Sequence, residues 1–409
     1  MSRKPLTEKL RRFGSQINSP RPSPPDIKLP DRYQLLAETV DGELIAGSAG
    51  CYCLIRTHYP IGFNHGAFTL EADIIEKSVP AAAFSPFENT LELPLSSMIF
   101  VDTETTGLGG SGAVAFLIGA GRVTHQGFEV LQYLIPDYSD EAAMLEDFHQ
   151  NLSIGSTIVS FNGASFDLPV LQDRMIINRV ARKLDYEYHL DLLHSARRLF
   201  KRRLQDCTLT NLERRLFSFY RTDDIPGHLV PSVYFEWLSA QELSRMKAVL
   251  EHNRYDIVSL YFLTNLISEA YQSEGGSLEH PEDLHSLSRF YERRRENNRI
   301  EKVYNRVQQF GNGISPDAAL HYARSFKRSQ NLQESVKIWE TLVTEKSSQS
   351  FWACIELAKY YEHQVKDFKN ALEYAKLASH CDCISDKLLE TLNKRVERLA
   401  KKLNSNDEN

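Results

Sequence analysis

Between about residues 96 and 272, short apolar runs alternate with longer amphipathic stretches. SMIFVDTET, AVAFLIGAGRV, GFEVLQYLI and STIVSFNG have the length of strands, whereas EAAMLEDFHQNL, DLPVLQDRMIINRVARKL, LDLLHSARRLFKRRL and SRMKAVLEHNRYDIVSLYFLTNLISEA carry helical periodicity. That rhythm predicts an α/β domain over 96–272, with helices covering the faces of a sheet. Upstream, CYCLIRTHY and AFTLEADII flank the turn-rich PIGFNHG, so residues 33–95 are expected to form an accessory β-rich segment. Residues 1–32 join a basic stretch to SPRPSPPDIKLP, whose prolines remove backbone donors, and are expected to be a disordered tail.

Past the linker QSEGGSLEHPED, near residue 275, the pattern is helical throughout. YARSFKRSQNLQESVKIWE and LAKYYEHQVKDFKNALEYAK align at a period of 35 or 36 residues, with Ala323 on Ala358 and Ser335 on Ala371. LSRFYERRRENNRIEKVYNRV is a weaker earlier copy. Small residues fall where paired helices would touch, and the period resembles that of tetratricopeptide repeats, about 34. KLLETLNKRVERLAKKL has the character of a polar capping helix. Residues 280–403 are therefore expected to be an all-α helical-repeat domain offering a surface to a protein partner; a generic helical bundle fits the same pattern.

With 409 residues, 42% of them hydrophobic, the chain can build at least two cores. A net charge of -6 excludes a protein that holds polyanions by bulk charge, so a nucleic-acid site must be a local basic patch. Cysteines 51, 53, 207, 354, 381 and 383 form two Cys-x-Cys pairs without zinc-site spacing and read as reduced structural thiols. No apolar run reaches the roughly 18 residues of a membrane span, and the start MSRKPLTEKLRRFGS has no signal-peptide core. A cytoplasmic protein without membrane partners is expected.

The chemistry lies in three carboxylate-bearing segments. Strand alternation in MIFVDTETTGL places Met98, Phe100, Asp102 and Glu104 on one face and Ile99, Val101 and Thr103 on the other. Two acids so close on a half-buried strand repel unless a divalent cation joins them. In IVSFNGASFDLPVL a strand breaks at Asn162-Gly163, and the first turn of the next helix holds Asp167, either a cation ligand or a helix cap. In the last long helix, the stripe through Met246, Val249, Leu260, Leu263 and Ile267 also passes through Asn253 and Asp256. An inward carboxylate needs a partner. With His252 one turn before it and Arg254 off the stripe, a metal shared with Asp102 and Glu104 is the simplest account.

VDTETTGL, FNGASFD and HNRYD occur in the order and spacing of the motifs of DnaQ-type four-carboxylate exonucleases, which this chain resembles. DLLHSARRLFKRRLQDCTLTNLERRLF followed by RTDDIPGHLVPSVYFEWL resembles more closely the YprB-like predicted 3′-5′ exonucleases. The resemblance implies a ribonuclease H-like mixed sheet flanked by helices. It implies hydrolysis of phosphodiester bonds in single-stranded DNA or RNA with two Mg²⁺ or Mn²⁺ ions. Asp102 would bridge both ions, Glu104 and Asp256 would hold the first, and Asp167 the second. His252 is the candidate base, but it departs from the pattern: relatives place a Tyr four residues, or a His five residues, before the last Asp, and here His252 stands at four and Glu251 at five. An inactive binding module or a structure-selective endonuclease of the same fold are the alternatives.

Bases cluster between Arg179 and Arg203, and Arg197, Arg198, Lys201 and Arg202 are the candidate phosphate contacts. Thr105 and Asn162, inside the motifs, are further candidate substrate-binding residues. The same basic helix is amphipathic through Leu192, Ala196, Leu199 and Phe200, so a solvated face is the alternative reading. Asp191 at its start either assists the metals or caps the helix. Phe161, Phe166, Tyr234, Phe235 and Trp237 are stacking or core residues, and RTDDIPGHLVPSVY is expected to border the cleft.

Overall fold

A computed structural model describes residues 29–85, 91–107, 112–152, 157–310, 314–380 and 385–407. Most of the expected tail, with Cys381 and Cys383, lies outside the described residues. In chain order the main elements are α1 (Asp31–Val40), β1 (Glu43–Gly47), β2 (Gly50–Pro60), β3 (Met98–Thr105), β4 (Ala115–Thr124), β5 (Gly127–Leu134), α2 (Glu141–Leu152), β6 (Thr157–Ser160), α3 (Asp167–Ile177), β7 (Tyr188–Asp191), α4 (Leu192–Leu204), α5 (Val230–Ala240) and α6 (Met246–Gln272). Seven further helices follow: α7 (Pro281–Arg294), α8 (Asn297–Val307), α9 (Pro316–Arg328), α10 (Leu332–Thr344), α11 (Ser350–Tyr360), α12 (Phe368–Ser379) and α13 (Asp386–Asp407).

Seven strands form one mixed sheet in the order β1-β2-β5-β4-β3-β6-β7. The pairs from β1 to β3 are antiparallel, and β6 joins β3 in parallel. The sheet is ribonuclease H-like, as the motifs imply. Residues 33–95 are not a layer of their own. The segment 31–40 is a helix, and β1 and β2 extend the central sheet because Cys53 to Pro60 pair with Leu134 to Gly127 of β5. Met98 to Val101 of β3 form an unbroken buried run, as expected for a strand covered on both faces, and the two acids come only at its end.

The chain divides into two compact units, Met1–Phe63 with Ser97–His189 and Arg221–Val258, and Asn64–Ser96 with Leu190–Tyr220 and Ser259–Asn409. The expected linear boundaries at 95 and 272 are therefore crossed. In the first unit Leu36, Phe116, Ile118, Phe148, Trp237, Met246 and Val249 share one core. Two glycines let α6 lie close against β4. A Cβ at Gly119 would stand 2.3 Å from Asn253 Oδ1, and one at Gly121 2.5 Å from Ile257 Cγ2. Both distances are far below van der Waals contact, so only glycine permits the approach.

In the second unit the first helices of three successive pairs begin at Pro281, Pro316 and Ser350, and the second helices at Asn297, Leu332 and Phe368. The small residues aligned in the sequence, Ala323, Ser335, Ala358 and Ala371, are all fully buried, and Ser335 Oγ donates to the Ala323 carbonyl at 3.0 Å. The last helix, α13, is tied to the buried Glu362 by Arg395, Arg398 and Lys402 at 3.2, 2.9 and 3.0 Å. No helix among the described residues is long and apolar enough to cross a membrane. Cys51, Cys53, Cys207 and Cys354 are buried, and burial pushes the thiols of Cys51 and Cys53 up to about 12.

Two outcomes follow. Gly119→Ala must displace Asn253, and urea unfolding should show a loss of about 1–3 kcal/mol; a loss under about 0.5 kcal/mol would deny the close approach. His285, 1% exposed, has no hydrogen-bond partner for either ring nitrogen among the described residues, and burial, then the charge of His321, pushes it down to about 3. A folded value below the unfolded one near 6.5 means stability is full above pH 6.5 and declines as pH falls toward 3. Between pH 6.5 and 5 His285 should remove about 2 kcal/mol, and His285→Phe should flatten that part of the pH profile of the unfolding free energy.

Candidate active site

The site is assembled from the end of β3, the start of α3, one turn of α6 and the loop that opens at Arg221, all within the first unit. Asp102 and Glu104 face Gly119 and Leu117 across the β3–β4 register. The gap left at Gly119 is filled by Asn253, whose Nδ2 donates to Asp102 Oδ2 at 2.9 Å and to the Asp102 carbonyl at 3.3 Å. Gln132 Nε2 in turn donates to Asn253 Oδ1 at 2.9 Å and to the Leu250 carbonyl at 2.7 Å. With its oxygen so engaged, the Asn253 amide can present only its NH₂ to Asp102.

Asp167 opens α3 just after the turn in which Asn162 adopts φ 66°. It is the first helical residue and not the cap. Its Oδ1 accepts from the Thr103 N–H at 3.1 Å and from Thr103 Oγ1 at 2.6 Å, so α3 is held to β3 through this carboxylate. A Cβ at Gly163 would lie 2.2 Å from Ser160 Oγ and 3.1 Å from Asp167 Oδ2, which shows how tightly the turn packs behind the acid.

On α6, His252 and Asp256 lie one turn apart and share a face with Asn253. Glu104, His252 and Asp256 bring one ligand atom each within 4.8 Å of one another. His252 Nε2 stands 3.9 Å from Glu104 Oε1 and 3.6 Å from Asp256 Oδ2, while Nδ1 meets Asp224 Oδ1 at 2.7 Å. A shared metal was the simplest account of the inward Asp256, but the structure also gives it a basic partner. Arg221, 5% exposed, forms an ion pair with Asp256 Oδ1 and approaches Asp224 Oδ2 at 3.4 Å. The base arrives from a loop distant in sequence, where no periodicity marks it.

Burial first, then the charges of Asp256, Asp167 and Glu104, push the Asp102 carboxyl well above the usual range. Glu104 is raised by burial and by Asp256 and Asp167, with Arg221 opposing. The acids Asp102, Glu104, Asp167, Asp224 and Asp256 thus press on one another with one guanidinium among them. An oxygen-rich, half-buried donor set in mutual repulsion fits a hard divalent cation.

The other expected site residues are placed as follows. Thr105 is buried at the end of β3 and donates to the Gly107 carbonyl at 2.6 Å; Asn162 is exposed. Arg197, Arg198, Lys201 and Arg202 belong to the second unit, not to the unit that holds the acids. There Arg198 is not a free phosphate contact: it donates to the carbonyls of Ala83 and Phe84 at 3.3 and 3.2 Å and lies 4.2 Å from the Phe290 ring centroid. Burial and the nearby Arg293 and Arg294 push it down to about 10. Arg197, Lys201 and Arg202 are exposed, and Arg202 meets Glu282 at 3.2 Å. Asp191 caps α4 by accepting from the Leu193 N–H at 3.1 Å. Tyr234 and Trp237 are core residues, and Phe235 is exposed. The loop that starts at Arg221 does border the acids, with Gly227 beside His252. Sequence reasoning missed Arg221, Asp224, Thr103 and Gln132; only Gln132, a polar residue inside the buried run from Val130 to Leu134, carried a signal.

A sequence profile of the RNase H superfamily matches residues 99–268, the stretch that contains all four motif acids. Among curated proteins the chain is similar to the uncharacterized protein YprB of Bacillus subtilis (strain 168), at 33% identity over 362 residues and 87% of each chain. Among solved structures it is similar to the family B DNA polymerase of the hyperthermophilic archaeon Pyrobaculum calidifontis, with a TM-score of 0.33 and 16% identity over 65% of this chain and 36% of that one. That likeness spans about a third of the polymerase and carries no weight here. By its extended match to YprB, with the RNase H superfamily domain at its centre, the chain belongs to the YprB family.

Proposed function

We propose that the protein is a metal-dependent 3′-5′ exonuclease acting on single-stranded DNA or RNA. The observation that carries this reading is the acidic set itself: Asp102 and Glu104 are raised by burial and by Asp256 and Asp167, and Glu104 and Asp256 face the imidazole of His252. Asp102, Glu104 and Asp256 would hold one Mg²⁺ or Mn²⁺, and Asp102 with Asp167 a second. Such ions, when bound, supply an attacking water of lowered pKa and stabilise charge on the leaving oxygen. His252 Nε2 would be placed to accept a proton from such a water, while Asn253 keeps Asp102 turned toward the site and Thr103 does the same for Asp167. The helical pairs from α7 onward are tetratricopeptide-like repeats that engage a protein partner, and the protein works in the cytoplasm.

A second reading, a binding module without turnover, draws on the Arg221–Asp256 ion pair, which already neutralises one acid without any cation.

Purified full-length protein, given Mn²⁺ or Mg²⁺ and 5′-labelled DNA and RNA strands, should produce a ladder that shortens from the 3′ end. Asp102→Ala should abolish it, and closed circular substrates should stay intact. Binding without cleavage in either metal would select the second reading, and cut circles would select an endonuclease.

The same electrostatics set a stability sign. A carboxyl raised in the folded state destabilises the protein above its unfolded value, and the penalty disappears as pH falls below that value. At neutral pH, Asp102→Asn should therefore stabilise the metal-free protein by roughly 0.5–2 kcal/mol while removing activity. A destabilised variant in metal-free thermal melts would contradict the assigned repulsion.

A further inference from the structure

The loop that opens at Arg221 contains two side chains for which neither the motifs nor the relatives supply a role. The geometry points to Asp224 as the positioning residue of His252, with Arg221 as the clamp that holds Asp224 and Asp256 in register. This rests on His252 being the proton acceptor proposed above.

A carboxylate has acceptors only, so the 2.7 Å approach of Asp224 Oδ1 to His252 Nδ1 requires a proton on Nδ1. In the neutral ring Nε2 then carries the lone pair. That lone pair is directed at the acids, 3.9 Å from Glu104 Oε1 and 3.6 Å from Asp256 Oδ2, distances too long for a direct hydrogen bond and suited to an intervening water. The opposite tautomer would set the Nδ1 lone pair against a carboxylate oxygen at 2.7 Å. It would gain only a contact from Arg221 Nη1 at 3.4 Å. The shorter distance decides the matter, because the charge-assisted bond is the stronger one.

Arg221 serves both acids at once. One terminal nitrogen takes Asp256 Oδ1, which leaves Oδ2 toward His252 and Glu104, and the other approaches Asp224 Oδ2, which leaves Oδ1 for the histidine. Its guanidinium is 5.6 Å from the Tyr255 ring centroid, and Tyr255 is in turn held by Glu251 at 2.7 Å. Each oxygen of Asp224 therefore has one donor, and the direction of the imidazole follows from the pair.

The test is the tautomer of His252 in the metal-free full chain, read from ¹⁵N shifts of histidine-labelled protein in alkaline buffer and assigned against His252→Gln. The wild type should show Nδ1–H with a bare Nε2. In Asp224→Asn the amide oxygen answers Arg221 and the amide NH₂ faces Nδ1, so the ring should turn to Nε2–H. With Mn²⁺ and a single-stranded substrate, Asp224→Asn should then lower kcat by roughly 10²–10⁴-fold with KM little changed, as amide replacement does in serine-protease triads. Asp224→Glu should restore Nδ1–H. A wild-type ring found as Nε2–H, or an unchanged ring in Asp224→Asn, overturns the assignment. The wild-type spectrum alone decides it if a variant fails to fold. Because the spectrum needs neither metal nor substrate, its outcome is independent of whether the protein cleaves nucleic acid.

Discussion

The approach of α6 to the central sheet is the constraint on which the site depends. At Gly119 the helix comes so near that the Asn253 side chain occupies the volume a methyl group would need. Gly121, two residues on and so on the same face, makes the same room for Ile257. Asn253 then links three elements at once, taking a hydrogen from Gln132 on β5 and giving one to Asp102 on β3. The positions of His252 and Asp256 follow, because they share the turn that this contact immobilises. A helix set back by the thickness of one methyl group would carry its imidazole and carboxylate away from the strand end.

That packing brings together charges that repel. Nothing in the apolar core requires Asp102, Glu104, Asp167 and Asp256 to meet, and burial makes their proximity costly. The surrounding structure offsets part of the cost with hydrogen bonds to the charged groups: Asn253 on Asp102, the Thr103 N–H and hydroxyl on Asp167, and Arg221 on Asp256. Each of these donors also fixes the direction of an oxygen. Stabilisation and orientation are thus supplied by the same contacts, and the remaining repulsion is what a cation would relieve.

Much of this was legible in the chain. The strand carrying Asp102 and Glu104 was readable because its apolar run is continuous before the acids begin, and α6 because its stripe persists for more than five turns. The strand Tyr188–Asp191 was not: four residues followed directly by the amphipathic Leu192–Leu204 merge into one helical pattern. Residues 43–60 were correctly strand-like at β2 but were given a layer of their own, since edge pairing with β5 depends on register and not on composition. Arg221 and Asp224 lie in the loop expected to border the cleft, but nothing in the sequence marked either of them individually. A loop has no period, and a partner for Asp256 found 35 residues upstream is set by chain path alone.

The basic helix α4 shows the opposite failure, a pattern that was present and was weighed too lightly. Positions 192, 196, 199 and 200 define its buried face, and 203 continues that stripe by steps of three and four. Arg203 accordingly turns inward, to the buried Asp283 at 2.8 Å, while Arg198 spends its donors on the carbonyls of Ala83 and Phe84. A run of cations is read as a phosphate surface only by ignoring the periodicity on which it is written. Removing from the count those side chains that the stripe sends into the interior leaves Arg197, Lys201 and Arg202 as the exposed cations among the four candidates, with Arg202 engaged by Glu282. Three charges at these positions are a weak hold on a polyanion. Under the proposed function the hold on a nucleic-acid strand therefore falls mainly to the acidic site, where bound cations would invert the sign of the field that a strand meets.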